Sequence, residues 1–231
     1  HERRKGFVNN DGDLGDLRRD EDDTVKGYDV YAQAEWEIAP AWSVTAGIRT
    51  SRVRYNSVDH YITPQNPDDS GNQSFDDTSP VFGVVFHAAE NLNLYASYGE
   101  GFETPTFAEL AYRTGGTGLN FGLQPATSRA TEIGVKYRVG DRHRLNAALF
   151  NVDTKNEIVI DAATGGRTTF KNAGATTRRG AEASWDGRYR YGLQTHVALT
   201  YLRAEFADAF TTGSPPVVVP AEFANPAPTR D

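Results

Sequence analysis

A glycine-rich connection at about residues 104–127 carries the side chains best suited to binding a ligand. Tyr112, Arg113 and Phe121 lie there among glycines, which let the backbone take shapes that a bulky residue cannot. Arginine makes bidentate, charge-assisted contacts with anions, so Arg113 suits a carboxylate or a ferric chelate. The alternative is that Arg113 is an ordinary solvated loop charge, and the sequence leaves both interpretations open.

Two other connections contribute binding candidates. His60 and Tyr61 stand where a strand enters the long connection of about 57–79, and Arg167 follows the glycine pair at 165–166. His60 could contact a ligand or a metal, but an exposed loop histidine without a partner is the commoner case. No histidine has a second ligand at metal-binding spacing, and neither Gly-x-Ser-x-Gly nor His-Glu-x-x-His occurs. We therefore predict no metal site, no cofactor and no catalytic residue.

The most acidic stretch, residues 11–23, superficially suggests a calcium loop. Its spacing fails this test. When the count starts at Asn9, with Asp11 and Asp13 as the next ligands, the sixth position is Leu14, where an EF-hand needs glycine. We expect a solvated acidic loop instead.

Composition excludes several further kinds of chemistry. The chain has 231 residues and no cysteine, which removes disulfide scaffolds, cysteine nucleophiles, zinc ribbons and iron–sulfur sites. Lys and Arg number 24 against 31 Asp and Glu, a net charge of −7, so nucleic acid is not an expected partner. No apolar run approaches the roughly 18 residues of a membrane helix, but that test does not apply to membrane strands, which are short and alternating.

Strands must position these residues. Apolar and polar residues alternate over 28–38, and the alternation resumes over 42–49 after the turn Ala39-Pro40-Ala41. Period two is that of a strand with one apolar face, so this pair predicts a tight hairpin. Three more pairs follow, at roughly 80–88 with 92–103, 128–139 with 144–160, and 168–187 with 193–206.

Short and long connections alternate along the chain. Outer-membrane barrels have this asymmetry, with short periplasmic turns, long extracellular loops, an apolar outer band and a polar interior. Trp36, Trp42 and Trp185 lie near short turns, as interfacial girdle residues would. We predict an all-β fold of antiparallel up-and-down strands, about eight strands of a larger transmembrane β-barrel. Alternation alone is equally expected of a soluble sandwich or barrel.

The segment Tyr95-Ala-Ser-Tyr-Gly-Glu-Gly-Phe-Glu-Thr-Pro-Thr-Phe-Ala-Glu-Leu110 resembles the barrel motif of TonB-dependent outer-membrane receptors. That motif is written aromatic, Gly-x-Gly-Phe-x-x-Pro-x-x-x-Glu-Leu. Further elements follow in family order over roughly residues 24–206, and the nearest similarity is to the YncD-like branch. The motif positions, which we expect to be structural, are Gly99, Gly101, Phe102, Pro105, Glu109, Leu110, Glu132, Gly134, Asn172, Gly174, Gly180 and Glu182.

The resemblance implies a plugged barrel of about 22 strands. Residues 1–231 would be a partial barrel domain, with the plug, the TonB box and the terminal strands absent. Alternation puts Glu132 and Lys136 on the lumen side, where they can contact a plug or one another.

The resemblance also implies a function. It predicts a receptor in the outer membrane of a Gram-negative bacterium, active in the uptake of a ferric siderophore or similar iron chelate. Loops would capture the chelate and the plug would rearrange, driven through TonB. The expected partners are TonB, outer-membrane lipid and the chelate.

Two other interpretations stay open. A soluble β-sheet interaction module would pack its apolar stripes, such as Val30 to Trp36 and Val44 to Ile48, against each other. An outer-membrane barrel enzyme would need clustered Asp/His or Ser/His pairs at the extracellular rim, and His60 beside Asp59 is the one faint candidate.

Overall fold

The computed structural model describes residues 1–114, 118–164, 167–213 and 215–221. The glycine turn at 165–166 lies outside the described residues. A short helix, α1, covers Phe107–Leu110, and a 3-10 turn covers Arg190–Gly192. No helix within the described ranges is long and apolar enough to cross a membrane. The strands are β1 (Glu2–Asn10), β2 (Asp13–Ala39), β3 (Trp42–Asp59), β4 (Gly71–Ala89), β5 (Leu92–Glu103), β6 (Ala126–Val139), β7 (His143–Lys155), β8 (Ile158–Thr164), β9 (Arg167–Asn172), β10 (Thr176–Arg188), β11 (Gln194–Phe206), β12 (Phe210–Thr212) and β13 (Val217–Val219).

Nine strands form one antiparallel sheet in the order β1-β2-β3-β4-β5-β6-β7-β10-β11. Strands β8–β9 and β12–β13 are separate hairpins outside this sheet. The prediction of antiparallel up-and-down strands is confirmed, and the four predicted hairpins form. The sheet has nine strands rather than about eight because β1 also pairs with the outer part of β2.

The apolar stripes of β2 and β3 lie on one face of the sheet, the face that is outward in a membrane barrel. In the β2–β3 hairpin, Trp36, Ala34 and Ala32 pair directly with Val44, Ala46 and Ile48. Val30 is 76% exposed and Trp36 69% exposed, so the stripes do not pack against each other. A soluble module would have buried them, whereas a sheet solvated by lipid leaves them outside.

The acidic segment differs from the predicted solvated loop. Asp11 and Gly12, both with positive φ, make a tight turn, and the residues that follow belong to β2. Asp20 and Glu21 are buried, and Asp23 is 0% exposed. The prediction was wrong because composition does not reveal which cations β1 and β2 bring beside these carboxylates.

Two predicted strand ranges were too long. β7 ends at Lys155 rather than near residue 160, and β10 begins at Thr176 rather than near residue 168. Asn156 takes a left-handed φ of 56°, which asparagine tolerates better than most residues. The alternating pattern continues beyond this break, but it belongs to the separate β8–β9 hairpin.

A small hydrophobic core lies at the end of the sheet that carries the long connections. The residues Phe102, Phe107 and Phe121 pack against it. It holds residues 104–114 and 118–125 on the sheet and so positions the aromatic and basic residues among them. The buried core residues are Tyr55, Phe75, Leu110, Leu119 and Leu123.

Candidate functional site

A cavity of about 270 Å³ opens at the long-connection end of the sheet. It is formed by the β1–β2 hairpin, the 60–70 connection and the segment after α1. Its lining combines cations, carboxylates and tyrosines, the mixture expected where a polar ligand is recognised. The lining residues are Gly6, Arg18, Arg19, Glu21, Asp59, Tyr61, Asn66, Asp69, Tyr112, Gly118 and Arg167.

Two guanidinium groups contact the ring of Tyr112. The Arg19 guanidinium carbon lies 4.9 Å from the ring centroid, and that of Arg167 lies 5.4 Å from it. Both distances are within the range of cation–π attraction. Arg19 Nη2 also donates to the carbonyl of Ala111 at 2.6 Å. These contacts hold Arg19 of β2 against the connection that carries Tyr112, while Arg167 stays exposed.

Buried carboxylates lie behind this array. Glu21 Oε1 is 2.9 Å from Arg19 Nε and 3.6 Å from Arg4 Nη1. Burial raises the pKa of Glu21, and the neighbouring arginines oppose that rise. Burial also raises the pKa of Asp23, against the opposing effects of Ser57 and Arg4. The close pair with Glu21 holds the Arg19 guanidinium beside Tyr112.

Of the six predicted ligand-binding residues, three line this one cavity. They are Tyr61, Tyr112 and Arg167. They come from three separate connections of the sequence, and the fold brings them together.

The structure gives the other three candidates different contacts. Arg113 Nη2 donates to Asp69 Oδ1 at 3.1 Å, so this guanidinium pairs within the chain. The ring of Phe121 packs over Gly71, on the core. His60 Nε2 lies 2.9 Å from Asp22 Oδ2, on the outward face of the hairpin.

Sequence reasoning missed Arg18 and Arg19. Both stand inside the stretch that was read as an acidic loop. The available signal was an adjacent pair of arginines within an acidic run, which is typical of internal charge pairing. Within the described residues, no group of three or more His, Cys, Asp or Glu could hold a metal ion.

Pro105, Glu109 and Leu110 of the motif fold the loop onto the sheet. Thr106 and Glu109 form a capping box, in which the Glu109 N–H donates to Thr106 Oγ1 and the Thr106 N–H donates to Glu109 Oε2. Leu110 is fully buried, and the carbonyl of Pro105 accepts a hydrogen bond from the Tyr55 hydroxyl at 2.6 Å. The motif therefore starts the loop in one fixed geometry.

Asn172 joins three segments. Its Nδ2 donates to the carbonyls of Gln124 at 2.8 Å and Asn156 at 2.9 Å. Its Oδ1 accepts from the backbone N–H of Gln124 at 2.8 Å. This side chain connects the residues just before β6, the end of β7 and the β8–β9 hairpin.

The motif glycines provide room for neighbouring side chains. A Cβ on Gly134 would meet the ring of Tyr95, and a Cβ on Gly180 would meet the ring of Phe150. The other motif glycines lie beside smaller groups: Gly99 beside Val81, Gly101 beside Ser128, and Gly174 beside Asp208.

The lumen-facing charges are linked through Tyr95. Its hydroxyl donates to Glu132 Oε1 at 2.5 Å, and Lys136 Nζ lies 5.2 Å from its ring centroid. Cross-strand register places Glu182 in the same row as Tyr95 and Gly134. Glu132 and Lys136 therefore both contact Tyr95, which lies between them.

The chain matches known receptors in sequence and in fold. The model of the family described as TonB dependent receptor-like, beta-barrel matches residues 2–227. A probable TonB-dependent siderophore receptor of Acinetobacter baumannii, PiuA, is 26% identical over 200 residues, which are 81% of this chain and 25% of PiuA. The ferric-pyoverdine receptor PbuA of Pseudomonas sp. strain M114 is 29% identical over 198 residues, 82% of this chain and 23% of PbuA. The chain therefore spans about a quarter of the length of these relatives.

Solved structures share the fold. The crystal structure of PiuA from Acinetobacter baumannii superposes with a TM-score of 0.67 at 22% identity, over 85% of this chain and 28% of that one. The closed form of the ferric-catecholate import receptor Fiu from Escherichia coli K12 gives 0.63 at 21% identity, over 83% and 30% of the two chains. The similarity of this chain to the YncD-like branch of such receptors stays a prediction.

The family match covers nearly the whole chain. The apolar outward face of the sheet suits contact with membrane lipid. Family members are receptors of the Gram-negative outer membrane and not enzymes. The chain belongs to the TonB-dependent receptor β-barrel family.

Proposed function

We propose that this chain forms part of the barrel and extracellular loops of a receptor that takes up an anionic ferric siderophore. The observation that carries the proposal is the Arg19–Tyr112–Arg167 array at the cavity. The names of PiuA and PbuA as siderophore receptors support the same class of ligand.

The chemistry of the array suits such a chelate. Catecholate and hydroxamate complexes of ferric iron present a shell of oxygen atoms that carries negative charge. Guanidinium groups donate paired hydrogen bonds to such oxygens, and an aromatic ring offers a flat apolar contact. Arg167 forms no ion pair among the described residues, so its donors are available to the ligand.

For the whole protein, we propose that residues 1–231 are a partial barrel domain. The open sheet edges at β1 and β11 and the length of the relatives support further strands, to a total of about 22, and a plug inside the lumen. Chelate capture by the loops would then be followed by plug rearrangement, with energy supplied through TonB and a TonB box on the plug.

Binding by the full-length receptor that contains this chain tests the proposal. Ferric catecholate and ferric hydroxamate chelates, labelled with radioactive iron, serve as probes. We expect the Tyr112→Ala/Arg167→Gln double variant to weaken binding of the preferred chelate by about tenfold or more, because it removes one hydrogen-bonding cation and the ring.

His60→Ala is the matched control, because His60 was a sequence-based candidate that lies on the outward face, away from the cavity. Its chelate affinity should equal that of the wild type. Equal affinity in the wild type and the Tyr112→Ala/Arg167→Gln variant would refute the assignment of this cavity.

A further inference from the structure

Two cations face each other on the outward side of β2 and β3. Lys26 and Arg54 are direct cross-strand partners, and such residues have Cβ atoms about 5 Å apart. Both side chains are exposed. Like charges in this position destabilise an antiparallel pair unless an anion lies between them.

Neither cation is neutralised by the chain. Within the part of the chain that the structure describes, Lys26 and Arg54 form no ion pair and no side-chain hydrogen bond. Their outward-facing neighbours differ. Arg52 pairs with Asp76, and Arg3 pairs with Asp20 at 2.9 Å. At these neighbouring positions the chain supplies its own anion, which it does not do for Lys26 and Arg54.

The height of this pair on the sheet indicates where the anion comes from. Tyr28 and Trp36, both exposed, bound the outward apolar stripe of β2, and the segment between them fits the roughly 9–11 residues of a tilted membrane strand. Lys26 is the next outward-facing residue beyond Tyr28, on the side of the long connections. In an outer-membrane barrel that side is extracellular, so the pair lies at the headgroups of the outer leaflet.

We propose that Lys26 and Arg54 bind the phosphate of a lipid headgroup in the outer leaflet. One phosphate can accept from the ammonium group and from two guanidinium nitrogens at once. Ser74, the β4 partner of Arg54, adds an exposed hydroxyl in the same row. A free phosphate ion shares this chemistry, but the position directly above the apolar stripe favours the lipid. The site is independent of the chelate cavity.

The test uses the full-length receptor, purified from outer membranes in mild detergent. Native mass spectrometry measures the phosphorylated lipid that stays bound in the wild type and in the Lys26→Gln/Arg54→Gln variant. We expect retention to fall on the order of tenfold in the variant, since each cation near a membrane surface contributes appreciably to anion binding. The charge-preserving Lys26→Arg/Arg54→Lys variant should retain the lipid.

Arg129→Gln is the matched control. Arg129 is also outward-facing and exposed, but Glu100 neutralises it at 3.3 Å, so its loss should leave lipid retention unchanged. Heat-modifiable mobility on gels establishes that each variant is folded. Chelate affinity should be unchanged in the glutamine variant, which separates this proposal from the proposed uptake function.

A second arm distinguishes the two phosphate sources. Delipidated wild-type receptor is offered either detergent micelles containing phosphatidic acid or inorganic phosphate alone. Selective binding of the lipid supports the proposal. Binding of inorganic phosphate with equal affinity would overturn it, as would equal lipid retention by the wild type and the glutamine variant.

Discussion

At the scale of single residues, two strand glycines leave room for the aromatic rings that pack over them. A strand glycine is unfavourable in isolation, because it leaves backbone uncovered and loses conformational entropy on folding. The rings of Tyr95 and Phe150 lie across Gly134 and Gly180 and cover that backbone. This explains two motif glycines by packing rather than by ligand binding.

Gly180→Ala should destabilise the receptor. The added Cβ would meet the Phe150 ring and also the carbonyl oxygen of Tyr201. A ring can rotate away, but the carbonyl belongs to the β10–β11 ladder and cannot move without loss of hydrogen bonds. We expect the free energy of unfolding to fall by about 1–3 kcal/mol, measured by urea unfolding of the full-length receptor in detergent micelles.

Gly27→Ala is the control for this prediction. Gly27 is also a strand glycine, but a Cβ there would have nothing within 4 Å. Its free energy of unfolding should stay within about 0.5 kcal/mol of the wild type. Equal losses at the two positions would show that glycine content, rather than the close approach at Gly180, decides stability.

At the scale of elements, the β1–β2 hairpin carries buried carboxylates beyond the membrane band. Arg4 Nη1 lies 3.6 Å from Glu21 Oε1 and 3.9 Å from Asp23 Oδ2. At these distances the guanidinium does not fully offset the cost of removing the two carboxylates from water. The pKa values of both carboxyls are therefore raised on folding, chiefly by burial.

The sign of the resulting pH dependence follows from linkage. A raised pKa means that Glu21 and Asp23 bind protons more tightly in the folded hairpin than in the unfolded one. Their contribution to stability is therefore greatest below the unfolded pKa and falls as the pH rises through the folded pKa. We expect amide exchange in β1 and β2, corrected for intrinsic rates, to slow as the pH falls from neutral. In Asp23→Asn this slowing should shrink, and an unchanged profile would contradict the role of Asp23.

A second set of contacts holds the connection after α1 against the β8–β9 hairpin. Asp161 Oδ1 lies 2.9 Å from Lys171 Nζ, and Asp161 Oδ2 accepts from the Thr114 hydroxyl at 2.9 Å. The hydrogen bond from Lys171 lowers the pKa of Asp161, so this contact contributes stability above the unfolded pKa and loses it as the pH falls. The contributions of Glu21 and Asp23 on one side and of Asp161 on the other therefore respond to acid in opposite directions.

Asn172→Ala should loosen the same region. It removes the three hydrogen bonds to Gln124 and Asn156 and leaves their backbone groups without this partner. We expect limited proteolysis within residues 104–125 to become several times faster than in the wild type. Asn91→Ala removes a hydrogen bond from the side-chain amide to the carbonyl of Arg138, at the opposite end of the sheet. It should leave that cleavage rate unchanged.

At the scale of the whole molecule, the nine-stranded sheet is open. Among the described residues, β1 and β11 each pair on one side. Unpaired backbone groups cannot be satisfied by lipid, and exposed strand edges associate with other edges. Closure therefore has to come from strands outside this sheet.

Expression of residues 1–231 alone tests that conclusion. We expect no heat-modifiable, protease-resistant monomer in the outer membrane, whereas the full-length receptor should give one. The measurement is gel mobility with and without heating, after fractionation of the membranes. A stable monomer from the short chain would mean that its edges close in a way that this sheet does not show.

The amino-acid sequence by itself determined the strand pattern, the outward apolar face and the motif. Alternation is local, because successive side chains of a strand point to opposite faces, so 28–38 and 42–49 were predicted without knowledge of their neighbours. Tyr112 and Arg167 were singled out by residue type and loop position alone.

The tertiary structure decided what those residues contact. Arg19, Tyr112 and Arg167 meet only because three distant segments fold against one end of the sheet, and no local pattern encodes that meeting. The same holds for Asp23, whose burial depends on β1 and on Ser57 of β3. Charge pairing and burial are properties of spatial neighbours, and those are set by register and loop packing rather than by residue type.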